Sequence, residues 1–184
     1  MSDPALRTLT EEEYLRTEEE SPVRREYVDG FVYAQAGATN AHNLITSNIH
    51  VSLYRPARDS SCRVYQSDMK VHVQRIDTKR FYYPDLVVSC EELSNKATAL
   101  EEPCLIVEIL SAGTRQVDMT YKVKDYLGLP SLQGYLMVDS ENQAAEIYRR
   151  LPNGWTQETV QSRVKLPCVN VELSLDEIYE GVNL

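Results

Sequence analysis

Apolar positions along the chain switch between a three-to-four spacing and a strict alternation, which predicts helices interleaved with strands. Thr10 followed three residues later by Glu13, with Leu9 and Tyr14 flanking, predicts a capped helix start, and Pro22 closes that segment. Residues 26–33 alternate around Asp29-Gly30, the signature of a tight hairpin. Thr39 or Asn40 then opens a helix reaching about Arg55. Leu44, Ile45, Ile49 and Leu53 give it one apolar stripe, and Pro56 is its predicted stop.

Three strand patterns follow: residues 63–75, with Val64, Met69, Val71 and Val73 alternating, then 81–88, then 104–110. A short link near Asp77 makes the first two a predicted hairpin, and residues 91–102 read as a polar loop or short helix. Ser111 or Thr114 caps a predicted helix to about Leu127, ended by Gly128 and Pro130. Residues 135–139 form a further buried strand. Residues 146–150 and 155–160 read as an outer meander around Pro152-Asn153-Gly154, and Ser174 with Glu177 caps a short last helix. The order predicts an α/β (α+β) fold: a mixed β-sheet flanked by helices, with an N-terminal hairpin and a C-terminal β-meander. Residues 1–184 are expected to form a single domain, large enough to bury a core without staples.

One residue breaks the pattern. Residues 103–110 are apolar on both strand faces, as in an interior strand, except for Glu108. An ionised carboxylate there costs several kcal/mol unless a cation or proton meets it. Asp85, in Tyr83-Pro84-Asp85-Leu86, is a second acid inside an alternating run, although Pro84-Asp85 also reads as a turn before a strand at Leu86. Two such carboxylates on adjacent strands need a cation between them, and oxygen ligands suit magnesium or manganese. Lys122, at the edge of the helix stripe that follows Glu108, is the candidate positive group. Pairing with Asp118 at the i, i+4 spacing is its alternative.

The formal charge of −9 argues against broad non-specific binding to nucleic acid, but leaves room for a local basic groove. Cys62, Cys90, Cys104 and Cys168 form no CxxC pair; the first three lie in or beside apolar strand patterns, so buried reduced thiols are expected. They share no ligand spacing with His42, His50 or His72, so zinc is not expected. No signal peptide or membrane span is apparent, and a reducing cytoplasm is the expected setting.

The segments Arg25-Glu26-Tyr27-Val28-Asp29-Gly30, Ala41-His42-Asn43, Ser67-Asp68-Met69-Lys70-Val71, Tyr83-Pro84-Asp85-Leu86 and Val107-Glu108-Ile109-Leu110-Ser111 occur in a distinctive order. Thr114-Arg115 through Asp118 to Lys122, and Leu132-Gln133-Gly134-Tyr135 followed by Val138-Asp139, continue it. Together they resemble the Uma-two family of restriction-type endonucleases, within the PD-(D/E)XK nuclease superfamily. The resemblance covers nearly the whole chain. It implies a restriction-endonuclease-like core and a magnesium-dependent cut of DNA. It makes Asp85 and Glu108 metal ligands with the Ile109 carbonyl, and Lys122 the catalytic lysine moved from the motif position that Leu110 occupies. Glu26 is a candidate further acid at the metal, or an exposed acid beside Arg24 or Arg25. His42 is a candidate cleft residue, or a structural histidine. Asp68 reads equally as a turn residue.

Two functions follow. One is a Mg2+- or Mn2+-dependent DNA endonuclease, with Arg55, Arg58, Arg63, Arg75, Lys79 and Arg80 as candidate strand guides. The other is a catalytically inactive nuclease-fold protein that binds nucleic acid or protein, as a homodimer through the outer meander. The charge and Leu110 favour the second; the coincidence of Asp85, Glu108 and Lys122 favours the first.

Overall fold

The computed structural model describes residues 8–35, 37–75, 78–111 and 121–184. Helix α1 (Glu11–Glu18) begins at the expected capping box, in which Glu13 N donates to Thr10 Oγ1 and Thr10 N donates to Glu13 Oε2. Strands β1 (Arg25–Val28) and β2 (Phe31–Ala34) pair across Asp29 and Gly30, whose φ values of 48° and 97° are the double left-handed turn that an Asp-Gly pair favours. Helix α2 (Asn40–Asp59), capped by Thr39, buries Ile45, Ile49 and Leu53 completely. It runs one turn past its predicted end, with Pro56 inside it. Proline forfeits one backbone bond, while Ala57 beyond it is wholly buried and anchors the last turn.

The two long strand patterns each divide between two sheets. Residues 63–75 become β3 (Arg63–Gln66) and β4 (Lys70–Arg75), with Asp68 in the turn between them, paired to Arg24. Residues 81–88 become β5 (Thr78–Tyr82) and β6 (Leu86–Ser89), with Tyr83, Pro84 and Asp85 forming the bend. The hairpin expected near Asp77 is the antiparallel β4–β5 pair; Asp77 itself lies outside the described residues. A two-residue strand, β7 (Ala99–Leu100), joins β4 in parallel.

The remaining elements are β8 (Pro103–Leu110), α3 (Val123–Tyr126), β9 (Gly134–Asp139), β10 (Ala145–Leu151) and β11 (Gly154–Thr159). An unpredicted hairpin, β12 (Arg163–Leu166) with β13 (Val171–Ser174), leads into the capped α4 (Leu175–Ile178). One sheet has the order β11-β10-β9-β8-β6-β3 and the other β2-β1-β5-β4-β7. The larger is mixed: β8 and β9 are parallel and its other pairs antiparallel.

All eight residues of β8 are buried, and alternation sends them into two cores. Leu105, Val107 and Ile109 pack with Ile45, Ile49 and Leu53 of α2 and with Val164, Leu166 and Leu173 of the last hairpin. Ile106 and Leu110 pack with Val71, Val73 and Tyr82 of the smaller sheet and with Tyr126 of α3. Helices therefore flank the mixed sheet as expected, α2 on one face and α3 on the other, but they do not close it alone. One face is closed by a helix and a hairpin, the other largely by a second sheet, which excludes water as well as a helix does.

Gly134 shows how close that packing is. A Cβ there would meet Pro167 Cγ at 2.5 Å and Leu105 Cδ1 at 3.3 Å. Gly134→Ala is expected to cost about 1–3 kcal/mol by overpacking, read as a lower urea midpoint. An unchanged midpoint would mean that the last hairpin yields freely.

The structure pairs all four cysteines, Cys62 with Cys90 and Cys104 with Cys168, correcting the expectation of reduced thiols. Segments up to 64 residues apart in sequence meet at one end of the larger sheet, so no local spacing displays them. Among the described residues, no helix is long and apolar enough to cross a membrane.

Candidate active site

The bend that carries the chain from β5 to β6 places Asp85 beside the C-terminal half of β8. The β6–β8 register pairs Leu86 with Val107, so one step further along it stands Asp85 opposite Glu108. The Asp85 carboxylate accepts the backbone N–H of Ile109 at 2.7 Å, and its other oxygen lies 3.1 Å from His42 Nε2. His42 is held there by the first turn of α2, where its backbone N–H donates to the Thr39 cap. The interruption of the strand at Tyr83–Asp85 agrees with reading Pro84-Asp85 as a turn, and the same turn aims Asp85 at β8.

Glu108 and Lys122 meet in the interior. Both are about 5 % exposed, and Lys122 Nζ lies 3.2 Å from Glu108 Oε1 and 3.0 Å from Glu26 Oε1. Lys122 sits on a π-helical turn at residues 121–122 leading into α3, and its ammonium also stands 5.6 Å from the centre of the Tyr82 ring. The alternative partner Asp118 lies outside the described residues, as do Thr114, Arg115 and Gln116. Glu26 is buried rather than exposed, and it accepts the Tyr83 backbone N–H at 3.1 Å. A short chain of contacts thus joins the two groups: Glu26 holds Tyr83, two residues before Asp85, and Asp85 holds the amide next to Glu108.

Two tyrosines belong to this site although the sequence marks them only as core. Tyr126 Oη donates to Glu108 Oε1 at 3.2 Å; burial first, then Glu108, pushes its phenol well above the ordinary range, so it stays a donor. Tyr82 faces Lys122 with its ring and donates through its hydroxyl to Asp125 Oδ2 at 2.7 Å. That oxygen also takes Arg80 Nη1 at 2.5 Å, and Arg80 Nη2 reaches Asp29 at 2.6 Å. Arg80 is therefore a structural clamp rather than a strand guide. Lys79 is likewise engaged, with Glu11 at 2.6 Å, and Arg63 Nη1 donates to the Cys62 carbonyl at 2.8 Å. Leu110 is a core residue among Val71, Tyr82 and Tyr126.

Glu26, Asp85 and Glu108 set three carboxylates against the Lys122 ammonium and the titratable His42. Asp85 and Glu108 each offer carboxylate oxygens, hard donors of the kind that suit magnesium or manganese. Among the described residues, no three acid or histidine side chains bring ligand atoms within 4.8 Å of one another.

Comparison with known proteins places these residues in context. The family model Uma2, "Putative restriction endonuclease", matches residues 11–176. The protein slr1290 of Synechocystis is 31 % identical over 178 residues, covering 95 % of this chain and 93 % of its own length. A second Synechocystis protein, sll1609, is 32 % identical over 146 residues, covering 78 % and 81 %. The crystal structure of "a putative nuclease belonging to DUF820" from Anabaena variabilis superposes with a TM-score of 0.74, at 20 % identity over 93 % of this chain and 97 % of that one. That likeness establishes a nuclease-type fold.

Proposed function

We propose, on the premise that the chain belongs to the Uma2 restriction endonuclease family, that it is a metal-dependent endonuclease hydrolysing phosphodiester bonds of DNA. The observation that carries the reading is Lys122, buried between Glu26 and Glu108 and one strand pairing away from Asp85. In this reading Asp85, Glu108 and the Ile109 carbonyl hold Mg2+ or Mn2+. An ion held there would lower the pKa of a water and stabilise charge on the phosphate.

The chain's own groups do the rest. Lys122 offers its ammonium to the attacking water and the phosphate oxygens, and Glu26 keeps that ammonium charged and aimed. Tyr126 fixes the rotamer of Glu108 through its hydroxyl. His42 orients Asp85 and, when protonated, adds a positive charge at the mouth of the site. We place the protein in the cytoplasm, as one nuclease-like domain that forms a homodimer through the open edge of β11.

A second reading, a nuclease-fold protein that binds without cutting, is favoured by the core position of Leu110 and the charge of −9. Supercoiled DNA separates the two. Nicking is expected with Mg2+ or Mn2+ and not in EDTA. Cutting that is absent with every divalent ion, or equal in EDTA, would overturn the endonuclease reading.

A further inference from the structure

Cys62 immediately precedes β3 and Cys90 immediately follows β6. The β3–β6 pair ends with Arg63 opposite Ser89, which sets these two cysteines face to face with Cα atoms 4.0 Å apart. Cys104 is the second residue of β8, the next strand, where the ladder shifts register between Val88 and Ser89. Cys168 comes from the turn of the last hairpin. Its φ of 74° lies in the left-handed region that a residue with a Cβ seldom adopts, and that backbone carries the sulfur onto the sheet end. The sulfurs of Cys62, Cys90 and Cys168 all lie within 4.8 Å of one another, and Cys104 is bonded to Cys168. Four chain segments therefore deliver four sulfurs to one place.

We propose that these four cysteines are a second metal site: in the reduced chain they bind one zinc ion as a tetrathiolate. Zinc–sulfur bonds of about 2.3 Å hold tetrahedral ligand sulfurs about 3.8 Å apart, inside the 4.8 Å spacing of Cys62, Cys90 and Cys168, and Cys104 joins them through its bond to Cys168. A multi-iron cluster spreads its cysteines further, because several metal atoms stand between them. The site is at the opposite end of β6 from Asp85; five residues of extended chain span about 16 Å, so it is separate from the acidic cluster. Cys62 is buried, Cys168 half-buried and Cys90 exposed, so the site has a closed interior and an entry path. The chemistry balances with a dithiol or phosphine reductant. Each disulfide takes up two electrons and two protons, becoming two thiols while the reductant is oxidised. Zinc then displaces four protons as four Zn–S bonds form.

The test uses the full chain, reduced with a phosphine and desalted without oxygen. Zinc is expected to bind at one ion per chain, lowering the thiols that react with a disulfide reagent from four to none. Co2+ should give the intense spectrum of a tetrahedral thiolate site. Cys90→Ser, at the exposed position, should lose that spectrum while keeping its circular dichroism. The proposal is overturned if the reduced chain, with four free thiols, takes up no stoichiometric metal. It is overturned equally if Cys90→Ser binds as wild type does, or if the reduced chain is unfolded with zinc as without it.

Discussion

Replacing Asp85 with asparagine is expected to lower magnesium-dependent nicking by about 100-fold or more, with little change in stability. Asparagine has the shape of aspartate, and its amide oxygen can still accept the Ile109 N–H that Asp85 now holds at 2.7 Å. Keeping that bond limits the change in unfolding free energy to about 1 kcal/mol. The lost property is the negative charge, on which ion binding depends. Part of the lost rate should return at higher Mg2+, because a weakened ligand set is still occupied by mass action. The measurement is initial nicking rate against Mg2+ concentration, beside a urea denaturation curve. Wild-type rates at all magnesium concentrations would remove Asp85 from the ligand set. A collapse of stability without the charge-specific kinetic change would make it a structural link between the bend and β8.

How far the chain disclosed its own fold depends on what kind of signal each element carries. The β1–β2 hairpin and the two capping boxes were legible because their chemistry is local: Asp29 and Gly30 turn left-handed, and Thr10–Glu13 and Ser174–Glu177 pair within one turn. The division of strands between sheets was not. A strand that bends from one sheet into another keeps its alternation on both sides, so Ser67–Met69 and Tyr83–Asp85 look like ordinary interruptions. The β12–β13 hairpin hid because its turn runs through Pro167 and the left-handed Cys168 and Asn170 without an Asn-Gly or Asp-Gly signal.

The candidate site divides in the same way. Glu108 stood out because a charged residue in a strand apolar on both faces violates a strong rule. The cysteines gave no such sign, since their meeting depends on the register of β3, β6 and β8. Tyr126 and Tyr82 read as packing residues, because a buried tyrosine satisfies the periodicity whichever group its hydroxyl reaches. Arg80 misled for the complementary reason: a basic residue beside a strand looks available for phosphate until Asp29 and Asp125 are seen to clamp it.

Lys122→Met should have the largest combined effect, losing nicking and about 3–5 kcal/mol of stability. The substitution keeps the apolar stem but leaves Glu26 and Glu108, both buried, without the ammonium they share. Two carboxylates so placed repel each other and must take up a proton or admit water. The double variant Lys122→Met with Glu26→Gln relieves one of those charges while keeping an acceptor for the Tyr83 N–H. Stability should therefore recover in part, whereas activity should not, because an amide cannot replace an ammonium at the attacking water. This separation distinguishes a catalytic lysine from a lysine that merely neutralises acids. Urea midpoints and nicking rates, both taken where each variant is fully folded, give the answer. Recovery of nicking together with stability in the double variant would reduce Lys122 to a structural counter-ion and leave the bend at Asp85 to account for the chemistry alone.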